Sequence, residues 1–62
     1  MSSAAALLFQ AKQKREQAER ARRLGQGVAA KADQANLVKY AQQLEHEAQR
    51  LEQEAARLSD QT

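Results

Sequence analysis

Residues 37–58 read LVKYAQQLEHEAQRLEQEAARL. Large and small apolar residues alternate through this stretch at spacings of four and three: Leu37, Ala41, Leu44, Ala48, Leu51, Ala55 and Leu58. An apolar residue every 3.5 positions keeps one seam of a helix turned toward a partner helix. With Ala41, Ala48 and Ala55 at one core position and the leucines at the other, the partner backbone can approach closely. Glu45, Glu47, Glu52 and Glu54 border the seam on both sides, with Val38 and Tyr40 near its start. Left alone, the seam would hold its leucines in water, at roughly 1.5–3 kcal/mol each. The rest of the chain is the first place to look for a partner.

Composition sets the class. The 62 residues contain 14 Ala and only 12 larger apolar residues, with no Cys and no Pro. That is one small domain, 1–62, with a thin core and no disulfide to staple it, so oligomerisation is the expected route to stability. Ala, Gln, Glu, Arg, Lys and Leu are good helix formers, and the expected class is all-α. The formal charge is +2, but the two halves differ in sign: residues 1–27 carry six Lys/Arg against two Glu, and residues 28–62 carry four against six acidic residues. The apolar run Ala4–Phe9 is too short for a signal peptide or a membrane span, which points to a cytoplasmic protein without membrane association.

Ser2 or Ser3 is a plausible N-cap for a first helix over about residues 3–26. Its stripe reads Ala4, Leu7 or Leu8, Ala11, Lys14 or Arg15, Ala18, Ala21, and Leu24 or Gly25. One cation therefore has to lay its methylenes along the seam and push its charge to the edge. On the outer side, Glu16–Arg20 and Glu19–Arg23 stand in the favourable i,i+4 order. Gly25-Gln26-Gly27 is the only break, and a Gly just past a stripe is a helix C-terminus signal. The turn is expected over about 27–32, and Asp33 is the best N-cap for a second helix over about 33–58.

Folding the chain back at 28–32 brings together residues whose numbers sum to about 62. Ala18 then meets Leu44, Ala11 meets Leu51, and Leu7 or Leu8 meets Ala55, so large faces small along the length. The expected core is Leu7, Ala11, Ala18, Ala21, Leu24, Leu37, Ala41, Leu44, Ala48, Leu51, Ala55 and Leu58. Arg15 falls near Glu45 and Glu47, and Leu24, Val28, Leu37, Val38 and Tyr40 cluster at the turn. The expected fold is an antiparallel helical hairpin with a coiled-coil seam. One hairpin leaves the other side of each stripe exposed, so a homodimer forming a four-helix bundle is expected. A single bent helix in a parallel coiled coil is the competing architecture.

The segment Ala21-Arg22-Arg23-Leu24, the short break, then Leu37, Tyr40-Ala41, Leu44-Glu45, Glu47-Ala48 and Leu51-Glu52 resembles a class of short bacterial helical-hairpin proteins with no assigned activity. The resemblance covers about residues 15–56. Those proteins carry a Ser-Asp-Pro type cap at the turn, of which only Asp33 is matched here. The length and Ala/Leu layering of the second helix are also similar to the plasmid copy-number protein Rop, a hairpin that dimerises into a four-helix bundle and binds paired RNA loops with its first helix. That likeness is one of architecture, and no RNA-binding residues carry over.

No residue set points to a reaction. His46, the only His, lies away from the seam, with Gln42 and Arg50 at i−4 and i+4, so no zinc or di-iron spacing exists. The glutamates lack a concave pocket in which one could be desolvated for acid–base work. Gly25-Gln26-Gly27 has neither the flanking strand nor the Lys-Ser/Thr of a phosphate loop. No catalytic residue, cofactor site or metal site is expected. The basic set Lys12, Lys14, Arg15, Arg20, Arg22 and Arg23 could meet phosphates, with Phe9 available to stack on a base. Glu16 and Glu19 interrupt that set, and the acidic second helix competes for it. A membrane-surface helix is disfavoured because its apolar face is mostly Ala. The expectation is a non-enzymatic module that binds itself or another protein. The alternatives are a small RNA- or DNA-binding regulator using the first helix and an accessory subunit docking its Ala-rich face.

Overall fold

A computed structural model of the chain describes residues 3–60. Two helices, α1 (Ala4–Gly27) and α2 (Lys31–Asp60), take up all of these except Ser3 and the turn at 28–30. They lie antiparallel in a rod of 49 × 15 × 13 Å. The backward fold is fixed by cross-helix ion pairs of descending and ascending number: Arg22 with Glu45 and Arg15 with Glu52.

Local chemistry explains the ends. Ser3 caps α1: its Oγ accepts a hydrogen bond from the Ala6 amide at 3.1 Å, which satisfies one of the free N–H groups of the first turn. At the other end the Val28 amide donates to the Gly25 carbonyl at 3.3 Å, and Val28 itself is extended. Three residues suffice to reverse the chain because α2 begins at Lys31, with the Gln34 amide bonded to the Ala30 carbonyl at 3.0 Å. Asp33 is therefore not the N-cap. It sits in the first turn, where its carboxylate favours the positive end of the helix dipole, and Arg57 complements the other end.

The glycines also differ from expectation. Gly25-Gln26-Gly27 is helical, and no described residue has a positive φ. Gly25 does not end α1 but belongs to the seam. A Cβ there would stand 3.6 Å from the Leu37 Cβ, so the missing side chain lets α2 lie close as the helices near the turn.

The seam of α1 is then fully regular: Ala4, Leu7, Ala11, Lys14, Ala18, Ala21 and Gly25, spaced three and four apart. Each doublet left open by the sequence is resolved by this period. Leu7 is buried while Leu8 is half exposed, and Lys14 rather than Arg15 lies on the seam line. Leu24 is the correction to the expected core. It is 63% exposed, because Gly25 occupies its seam position. On α2, Ala41, Leu44, Ala48 and Ala55 are buried, and Leu37, Leu51 and Leu58 are half-buried.

Ala18, Ala21, Ala41 and Leu44 form the central buried cluster. Ala18, Ala41 and Ala48 are completely shielded from solvent although each side chain is a single methyl. Only backbone-to-backbone closeness can cover them so completely, and that closeness leaves room for one leucine per layer. Leu44→Ala should therefore cost about 2–4 kcal/mol in urea denaturation, and more than Leu51→Ala, whose side chain is already part-exposed. Ala48→Leu should destabilise by about 1–3 kcal/mol, because the helices would have to separate to admit it.

Candidate functional site

The hairpin has two long flanks, one on each side of the seam, and their chemistry differs. On the first, α1 presents Arg15 and Arg22 and α2 presents Glu52 and Glu45. Arg15 donates from Nε and Nη2 to the two Glu52 oxygens at 2.8 and 2.6 Å. Arg22 does the same to Glu45 at 2.8 and 2.7 Å. A planar guanidinium matches a carboxylate in this two-bond fork, so each pair fixes register as well as charge. These bonds from arginine, with the attraction of the cation itself, hold the Glu45 and Glu52 carboxyls below the ordinary carboxylate range, against a smaller opposing effect of desolvation. The same bonds raise Arg15 and Arg22.

Arg15 stands near Glu45, as expected, close enough for each charge to act on the other, but its two-bond partner is Glu52, while Glu45 bonds Arg22 and Glu47 pairs with Lys14 at 3.1 Å. Core residues face each other at a sum near 62, and so does Lys14–Glu47, but the residues of the first flank stand to one side of the seam and pair at a sum of 67. Extending the heptad of α2 into α1 would have shown this offset. The i,i+4 pairs Glu16–Arg20 and Glu19–Arg23 are not among the ion pairs formed; Arg57 pairs within its own helix with Glu54 at 2.6 Å.

The second flank is less closed. It carries Lys14–Glu47 as its one cross-helix ion pair among the described residues, and it exposes Leu24 and Tyr40 side by side near the turn. Two shallow depressions lie along this groove-like flank, one toward the open end and one near the turn. Leu37 and Leu51 show their uncovered edges in them, and Arg20 stands at the rim of the second beside Leu24. The remaining large exposed apolar side chains are Leu8 and Phe9 at the open end and Val38 on the first flank.

The basic set of α1 divides in two. Lys14, Arg15 and Arg22 are engaged by glutamates of α2, whereas Lys12, Arg20 and Arg23 make no ion pair among the described residues. Half of the cations that could meet a phosphate backbone are thus spent on the fold. His46 is exposed, and no group of three or more His, Cys, Asp or Glu is placed to hold a metal ion among the described residues. No described polar residue is buried, so no carboxylate sits in the desolvated setting that acid–base chemistry requires. Among the described residues, no helix is long and apolar enough to cross a membrane.

The chain matches no known protein family, no curated protein and no solved structure.

The depressed carboxyls give a pH signature. A carboxyl whose pKa is lower in the folded state stabilises the fold above its ordinary range, and that contribution disappears as pH falls through the folded value. Wild-type melting temperature should therefore drop between neutral pH and about pH 3, the region spanning ordinary carboxyl titration. Arg15→Gln with Arg22→Gln should flatten this drop while lowering stability at pH 7. Parallel melting curves for the two proteins across that range would show that the forks do not contribute.

Proposed function

We propose that the chain is a non-enzymatic interaction module that associates with itself. The observation that carries this reading is the distribution of apolar surface. The closed seam is lined largely by alanine, and Leu8, Phe9, Leu24 and Tyr40 are each at least half exposed on a hairpin of 62 residues. A chain this small buries too little on its own, and association is the usual remedy where no disulfide or metal is present. A second hairpin covering Leu24 and Tyr40 would give a four-helix arrangement. A regulator that binds RNA or DNA is the second reading. It would have to rely on Lys12, Arg20 and Arg23, with Lys14, Arg15 and Arg22 already paired to glutamates.

Sedimentation equilibrium at micromolar concentration tests the proposal. The expected mass is about twice the 6.9 kDa of one chain, falling toward one chain on dilution. A helical monomer at every concentration would remove self-association. In the same conditions at low salt, a pool of RNA or duplex DNA should leave the protein unshifted. Salt-sensitive binding abolished by Lys12→Ala, Arg20→Ala and Arg23→Ala would instead favour the nucleic-acid reading.

A further inference from the structure

The flank exposing Leu24 and Tyr40 is where the hairpin has unmet capacity. It shows part of Leu37 near the turn and part of Leu51 toward the open end, with Leu44 between them buried. Arg20 borders this flank with no carboxylate of its own, and Glu47 meets only a lysine, which cannot occupy both carboxylate oxygens as the arginine forks do. The opposite flank offers a second molecule much less, because its arginines and glutamates are bonded to one another two by two.

We propose that this flank is the interface between two copies of the chain, laid side by side with their turns at the same end. The inference rests on the self-association reading and adds the face and the direction. A two-fold axis along the rod places α1 of one copy over α2 of the other at the same height. Within the hairpin, Leu24 is level with Tyr40, Gln17 with Glu47, and Gln10 with Glu54. The axis therefore sets Leu24 against the partner's Tyr40, brings Arg20 within a turn of the partner's Glu47, and leaves Gln10 to donate to the partner's Glu54. Each contact occurs twice; the same axis also brings Lys14 level with the partner's Arg50, with Glu47 and Glu54 beside these cations to offset their repulsion. Reversing one copy would stack α1 on α1 and α2 on α2, laying Leu24 near the partner's Gln10 and Tyr40 near the partner's Glu54, which already pairs with Arg57, and would separate the two apolar side chains from each other. The Cα trace of the rod extends 49 × 15 Å along this face, an outline large enough to hold a contact of the roughly 800 Å² per partner that stable interfaces bury.

Nitroxide labels on the full chain test the direction. Gly27→Cys marks the turn, where a side chain has open space, and Ala5→Cys marks the exposed open end. Separate electron–electron distance measurements should give separations well under the 49 Å length of one hairpin for both labels. Leu24→Glu with Tyr40→Glu, both at exposed positions, should weaken the dimer at least about tenfold by sedimentation while helicity is retained. A dimer in which either label lies near or beyond one hairpin length from its mate overturns the inference but leaves self-association standing. So does a dimer untouched by the double substitution. A monomer at all concentrations overturns both and leaves the face to a different protein partner.

Discussion

The close approach of two helix backbones at alanine and glycine is the constraint from which the rest follows. Ala11, Ala18 and Gly25 recur every seventh residue on α1, and Ala41, Ala48 and Ala55 do so on α2. With so little side chain between the axes, each layer admits one larger residue, such as Leu44 beside Ala18 and Ala21. The closeness that buries a methyl completely also leaves the wider side chains no place inside. Leu24 and Tyr40 stand outside because the seam is too narrow to take them, and the shortage of interior volume produces the exposed apolar surface.

Such a seam is weak at specifying register, since one alanine resembles the next. The forks supply what the alanines lack. Arg15–Glu52 and Arg22–Glu45 repeat after seven residues on each helix, and sliding α2 by one heptad would leave a charge at each end without its partner. Exposed ion pairs add little to stability, but a slide of one heptad keeps one fork where the native register makes two. The charge asymmetry of the halves is thus used within the molecule, which is why the basic first helix presents a smaller free cation set than its composition suggests.

The two helices, the antiparallel packing, most of the core and the pairing of Ala18 with Leu44 were legible in the sequence, because period and residue size both survive without coordinates. Three features were not. Gly25 looked like a terminator because a glycine near a stripe end fits either role, and only the close passage of Leu37 shows that it is a seam residue. Asp33 looked like a cap, but α2 gains an earlier turn at Lys31 through the carbonyl of Ala30, a bond that any residue can make. Arg15 was rightly set near Glu45, but its fork with Glu52 was missed because that flank follows a different offset from the core. The clustering of Leu24 and Tyr40 at the turn was legible as well; that both stand exposed on one flank depends on the register.

The account turns on the chain reversing at residues 28–30. The most direct measurement is the distance between nitroxides at Ala6→Cys and Ala56→Cys, two exposed sites near the open end, with labelled chain diluted in excess unlabelled chain so that only intramolecular pairs are read. A hairpin predicts a separation set by neighbouring helix axes, about 10 Å plus the reach of the labels. An unbroken helix through the turn would place the same residues about 75 Å apart, at about 1.5 Å per residue, and that result would contradict the account.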